Sequence, residues 1–396
     1  MTHGNWTRPL SLFCLFLVGV ALATSVHAAE PEKYRDDAQA IEGLINEQYA
    51  YLGRFPNSRV PLSTKLRQEA AQVDDRRSLL RYAERALLTL ADHHAITGSS
   101  LPDSWAVVPS FADIWISKRG RDFVIDAVRD GSPAQHAGIE RGDHLIAVTD
   151  VPTAQAVEAF WADLGLVPDD ERASFAARVL AAGRRDRPRI LTVQRGSSRP
   201  QRLELPNLYS ARMNGAGIEF QRTADGLLIT VNDSLGRSET IAAFDSAMEQ
   251  AQPDQRVIID LRNTPGGGNT TVARAILGWF VSEPRSYQVH ELPVEQRRTG
   301  VARRWIEQVL PRPDKHHAGP VVVRVGRWTG SMGEGLAIGF HTIGALVVGE
   351  PMAGLRGAIY DHELENSGLV LKLPTERLLA VDGTPRERFV PVPPSS

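Results

Sequence analysis

From residue 214 onward, four short apolar runs set the strongest limit on how this chain can fold. They read "GLLITVND", "RVIIDLRN", "GPVVVRVGR" and "GALVVGE". Runs rich in β-branched residues and lacking polar alternation are buried on both faces, as in a sheet covered by helices. Helical spacing follows the first two at residues 239–249 and 271–280, and follows the third just after Ser331. The pattern predicts an α/β core over residues 206–396. The ending "VLKLPTERLLAVDGTPRERFVPVPPSS" adds one or two strands and a proline-rich tail.

Upstream the character differs. Residues 34–90 are largely helical in spacing, with "AERALLTLAD" the clearest stretch, and exit through the turn-rich "DHHAITGSS". From Phe111, "FADIWISKRGRDFVIDAVRDGSPAQHAGIERGDHLIAVTD" alternates like strands and is broken by Gly-Ser-Pro and Arg-Gly-Asp turns. A helical piece at residues 154–182 then precedes a strand pair, "RPRILTVQRG" and "RLELPN". The expectation is an α+β multidomain chain: a helical region at 29–104, a β-rich module with a helical insertion at 105–205, and the core.

The first 28 residues read as a secretory signal. A basic start ending at Arg8, an apolar core from Leu10 to Ala23 and the small residues of "VHA" predict cleavage after Ala28, and so a periplasmic or secreted protein. The apolar run is too short to span a bilayer comfortably. The single cysteine, Cys14, lies inside it, so the mature chain has no disulfide, cysteine nucleophile or thiolate metal site. A formal charge of −2 and scattered arginines give no footprint for nucleic acid. The His93–His94 and His316–His317 pairs lack a third recognisable ligand, so no metal or other cofactor is expected.

Chemistry concentrates in two loops. In "TGSMGEGLAIGF", Ser331 stands between a strand and a helix. It is either an N-cap, with Glu334 completing a capping box, or an exposed nucleophile beside backbone N–H groups. In "DLRNTPGGGNT", Asp260 to Thr270, three consecutive glycines allow close approach of backbone to a ligand, without the lysine of a phosphate loop.

These two loops resemble peptidase family S41, which includes the carboxyl-terminal processing proteases and the tricorn-like proteases. Asp260–Gly267 is similar to its "D-x-R-x-N-x-G-G" signature, with Thr264 in the asparagine position and Asn263 one residue early. Ser331 and Glu334 match "S-x-x-E", and "VVGEP" matches the next strand and turn. "GSPAQHAGIERGDHLIAVTD" resembles the PDZ domain those enzymes carry. The resemblance implies a ClpP/crotonase-like core and an oxyanion hole made by the N–H of Met332 with that of Gly266 or Gly267. It also implies a peptide substrate engaged through the PDZ-like module by strand addition, with "SKRGRDF" as its carboxylate loop. An adaptor protein and a homo-oligomer are further expectations of the family.

The base differs between the two branches. Processing proteases use a lysine in "F-G-K-G", but "MAGLRG" here puts Arg356 in that position, and arginine stays protonated. Lys372 is the only lysine downstream of the serine. The tricorn-like branch uses a histidine in "L-x-D-G-H", which "LADHHA" resembles, making His94 the base and His93 the alternative at a one-residue slip. The same resemblance makes Glu387 the acid that orients the histidine, with Glu376 and Asp382 as weaker substitutes. Arg356 is then left to bind a substrate carboxylate. The competing classes are a catalytically silent PDZ-containing peptide-binding protein on the same fold, and an esterase.

Overall fold

The four apolar runs form the centre of one sheet. In the computed structural model, which describes residues 30–209, 216–232 and 235–394, they are the parallel strands Gly226–Val231, Val257–Asp260, Val321–Val325 and Leu346–Gly349. Their spatial order is Leu346–Gly349, Val321–Val325, Val257–Asp260, Gly226–Val231, and Ile218–Thr223 closes the far edge antiparallel. Ile229, Val257, Ile259 and Val323 are fully buried with Leu336 and Phe340 of the helix Met332–Thr342. Parallel neighbours bring their carboxyl ends to one side. The glycine loop after Asp260 and the serine loop after Val325 therefore lie side by side.

A second sheet was not legible beyond its last long strand. Its order is Ile96–Thr97, Val370–Leu379, Arg285–Glu291, Arg304–Val309, with Ala358–Glu363 also paired to Val370–Leu379. This sheet recruits the N-terminal region to the core: Ile96 lies opposite Lys372, and the Gly98 N–H donates to the Val370 carbonyl at 2.8 Å.

The N-terminal helices are Glu30–Gln48, Thr64–Ala70 and Arg76–Leu88. Asp75 caps the last of them by accepting from the Ser78 N–H at 2.6 Å, and Leu79, Leu80, Ala83, Ala86 and Leu87 give it a buried face. The chain then turns at Ala91, which has φ 46°, and delivers Asp92, His93 and His94.

The β-rich module is an antiparallel sheet ordered Ile114–Arg119, Asp122–Val128, His144–Val148, Arg189–Gln194, Gln201–Leu205. The helical piece expected at 154–182 is two helices, Thr153–Asp163 and Asp170–Ala182. They are separated where Gly165 takes φ 70° and Pro168 lacks an N–H. Helix Asp170–Ala182 runs along the outer strand Ile114–Arg119, where the Ser174 hydroxyl accepts from the Lys118 N–H and Arg178 donates to the Ile116 carbonyl. An incoming peptide strand meets an edge that is already occupied at those groups. "SKRGRDF" is the hairpin following that strand, and its Arg119 pairs with Asp126. The module is tied to the core by the Trp328 indole N–H, which donates to the Ala112 carbonyl at 2.8 Å.

The expected signal segment lies outside the described residues. Among those described, no helix is long and apolar enough to cross a membrane.

Candidate active site

Ser331 has φ 49° and ψ −113°, a positive-φ conformation that a non-glycine residue adopts only when its surroundings impose it. Glu334 is the main constraint. Fully buried one turn into the helix, it accepts the Ser331 N–H at 2.8 Å, the Gly354 N–H at 2.9 Å and the Leu355 N–H at 3.2 Å. The sequence signalled the first contact as half of a capping box. The other two fasten the Ser331 turn to Gly354 and Leu355. Burial pushes the Glu334 carboxyl up to about 7, against the opposing pull of Arg386 and the three N–H groups.

The glycine loop comes equally close. Gly266 (φ 111°) and Gly267 (φ 74°) occupy conformations that favour glycine. A Cβ on Gly266 would stand 2.7 Å from the Ser331 Cβ and 3.0 Å from the Gly330 carbonyl oxygen. Thr264, the residue that departs from the family signature, is a strut. Its hydroxyl donates to the Val231 carbonyl at 2.7 Å, and its own carbonyl accepts the Gly330 N–H at 2.9 Å. The backbones of Gly266 and of the helix start at Met332 thus flank Ser331, and the first N–H groups of a helix have no partner within it.

His94 reaches the same segment that Glu334 holds. Its Nδ1 lies 2.7 Å from the Arg356 carbonyl oxygen. A carbonyl can only accept, so Nδ1 carries the proton and Nε2 keeps its lone pair, the form a base needs. The His94 N–H donates to Asp92 Oδ1 at 2.9 Å, and the Tyr49 hydroxyl donates to Asp92 Oδ2 at 2.7 Å. Burial, reinforced by the Arg386 guanidinium, pushes the His94 imidazole down to about 4, so it is neutral at ordinary pH. The side chains of His94 and Ser331 are not directly hydrogen-bonded. They are linked through Arg356, Leu355 and Glu334.

The other expected participants are engaged elsewhere. His93 Nδ1 donates to the Val107 carbonyl and its Nε2 accepts from Arg178 Nε at 2.9 Å, which leaves it no lone pair for a serine proton. Lys372 pairs with Asp361 at 2.6 Å. The Arg356 guanidinium pairs with Glu171 at 2.8 Å, a carboxylate it shares with Arg54, so its charge is partly compensated before any substrate arrives. Glu387 makes no hydrogen bond to His94, and its Oε2 is buried without a partner. Glu376 accepts from His290 and from the Tyr360 hydroxyl, and Asp382 caps a turn at Thr384. The acceptor that orients His94 is therefore a main-chain carbonyl, which no side-chain motif announces. Arg386 was also not legible as a site residue. It is buried and donates to the Leu355 and Gly357 carbonyls at 3.0 and 2.7 Å.

Glu334 gives a test of this linkage. Glu334→Gln keeps the volume but replaces one acceptor oxygen with a donor facing N–H groups, and is expected to lower kcat about tenfold. Its pH profile should separate two titrations. In the native chain, protonation of Glu334 should weaken the clamp, so activity should fall as pH drops through about 7. In Glu334→Gln that limb should disappear, leaving the fall set by His94 near 4. An acid limb unchanged between the two proteins would refute the assignment.

Residues 227–394 match the model of peptidase family S41. Two similar solved structures are a photosystem II D1 C-terminal processing protease and mature CPAF. The first is 16% identical, with a TM-score of 0.56 over 91% of this chain and 93% of that one. The second is 14% identical, with a TM-score of 0.54 over 92% and 93%. At such identities the likeness is one of fold. No curated protein sequence matches the chain.

Proposed function

The chain carries a serine-type peptidase domain of family S41 at residues 227–394, and from that premise we propose that it hydrolyses peptide bonds through an acyl-enzyme on Ser331, with His94 as the base. The observation that supports this reading is the Nδ1–carbonyl bond of His94, which leaves the lone pair of a neutral imidazole on Nε2, on a segment that Glu334 ties to the Ser331 turn. His94 takes the hydroxyl proton as Ser331 attacks the carbonyl. The N–H groups of Met332 and of Gly266 or Gly267 receive the oxyanion, and the imidazolium then protonates the leaving amine. Water reverses the sequence on the ester. Glu387, with its unpartnered buried oxygen, remains the side-chain acid that would stabilise the imidazolium once substrate reorders the site.

The substrate is a protein or peptide, and the enzyme acts in the periplasm or outside the cell after loss of residues 1–28. For a peptide to add to the strand Ile114–Arg119, Ser174 and Arg178 must first release their backbone partners.

A second reading, a peptide-binding protein on the same fold, is favoured by the absence of a direct His94–Ser331 hydrogen bond, although such bonds often tighten only around substrate. Treating the mature protein with a fluorophosphonate separates the two. Labelling that depends on Ser331 supports the peptidase. Folded wild type that resists labelling and leaves casein intact supports the binding protein.

A further inference from the structure

A cleft of about 810 Å³ opens where the β-rich module meets the carboxyl ends of the parallel strands, and neither Ser331 nor His94 lines it. In open α/β sheets these ends are where ligands bind. The floor follows from strand register. Thr230, Asp260, Arg324 and Val348 lie directly opposite one another across four strands, so their side chains share one face. Arg129 enters from the module, just beyond the strand Asp122–Val128, and Arg327 from the loop that leads to Ser331.

The charges in this cleft do not balance. Three of the four carboxylates lining it are paired with guanidiniums, Asp260 with Arg262, Glu350 with Arg141 and Asp126 with Arg119, and the fourth, Asp130, accepts from the neutral Gln135 amide. Three guanidiniums have no ion-pair partner. Among the described residues Arg129, Arg324 and Arg327 have no carboxylate within 4.0 Å. Arg129, only 5% exposed, donates to the Asn263 side chain and the Ser110 carbonyl, and Arg327 donates to the Met352 carbonyl. Burial pushes Arg129 down to about 10 against the opposing pull of Asp113, and lowers Arg327 against that of Asp126 and Glu350, so desolvation outweighs the nearby carboxylates. Guanidiniums partly withdrawn from water and without an ion-pair partner are costly, and oxyanions match their planar, multi-donor geometry. The volume exceeds what a single ion needs and falls within the range of small-molecule sites.

We propose that this cleft binds a multiply charged oxyanion, carried by a phosphate ester or a polycarboxylate, which Arg129, Arg324 and Arg327 hold between the β-rich module and the core. Since Arg129 belongs to one side and Arg324 and Arg327 to the other, the ligand fastens the two together. The site does not depend on the peptidase assignment.

The test uses the mature chain as Ser331→Ala, which cannot digest itself through that serine. Pyrophosphate and citrate are titrated at constant ionic strength, with binding read by calorimetry and the unfolding midpoint by temperature scan. Saturable binding with a raised midpoint is expected, and Arg324→Ala, which removes a side chain without a hydrogen-bond or ion-pair partner, should weaken it about tenfold or more. Arg327→Gln, checked for a native circular dichroism spectrum, should show a similar loss. Tighter binding of pyrophosphate identifies the phosphate ester, and tighter binding of citrate the polycarboxylate. A midpoint that follows ionic strength alone, or equal binding by the parent and Arg324→Ala, overturns the proposal.

Discussion

Ser331→Ala and His94→Ala should each abolish hydrolysis, lowering kcat at least about 10⁴-fold, while both proteins stay folded. The two losses should be equal within about tenfold, and the double variant should lose little more, because a nucleophile and its base act as a unit. Lys372→Ala should retain wild-type turnover, since its ammonium is committed to Asp361 at 2.6 Å. His93→Gln offers a sharper control. That ring is tied to the Val107 carbonyl and Arg178, so losing it should affect stability more than chemistry. Turnover of a peptide substrate, compared with urea unfolding midpoints, checks all four. An active His94→Ala protein would remove the histidine from the mechanism.

Gly266→Ala should be nearly as damaging, lowering kcat by about 10²–10³-fold, the range seen when one oxyanion donor is lost. The reason is steric. A methyl 2.7 Å from the Ser331 Cβ cannot be accommodated unless one of the two loops retreats, and φ 111° adds strain for any residue with a Cβ. The retreat separates the glycine-loop N–H from the site where charge develops. A fall in kcat with KM little changed would mark a transition-state effect, whereas a rise in KM alone would place Gly266 outside the oxyanion hole. Stability should also fall, by about 1–3 kcal/mol.

The legible parts of the molecule were those in which one residue type at one position carries the signal. Four β-branched runs could only be interior strands, and the glycine loop and Ser331 turn carried their spacing openly. The strands Arg285–Glu291 and Arg304–Val309 were hidden because "RSYQVHE" and "RWIEQV" mix charge with apolar residues. Some of their side chains find long-range partners, such as His290 with Glu376 and Glu307, that no local window contains. At the site, the choice between His93 and His94 rested on resemblance, and only the tertiary partners of each ring distinguish them physically. The orienting group could not be read at all, because the acceptor is the main-chain carbonyl of Arg356, and every residue has one. Arg356 itself drew attention for its guanidinium, yet its peptide oxygen is what touches the histidine.

His94 and the carbonyl that orients it are 262 residues apart, with the nucleophile's loop on the later side of that span. At ribosomal speeds, roughly 13–50 s pass between synthesis of the histidine and synthesis of its anchor. Throughout that interval the proposed base lacks first the proposed nucleophile and then its orienting carbonyl. The 96–98 segment also stays unpaired until its partner around Val370 emerges. The proposed site is consequently complete only once the chain has been made as far as Arg356.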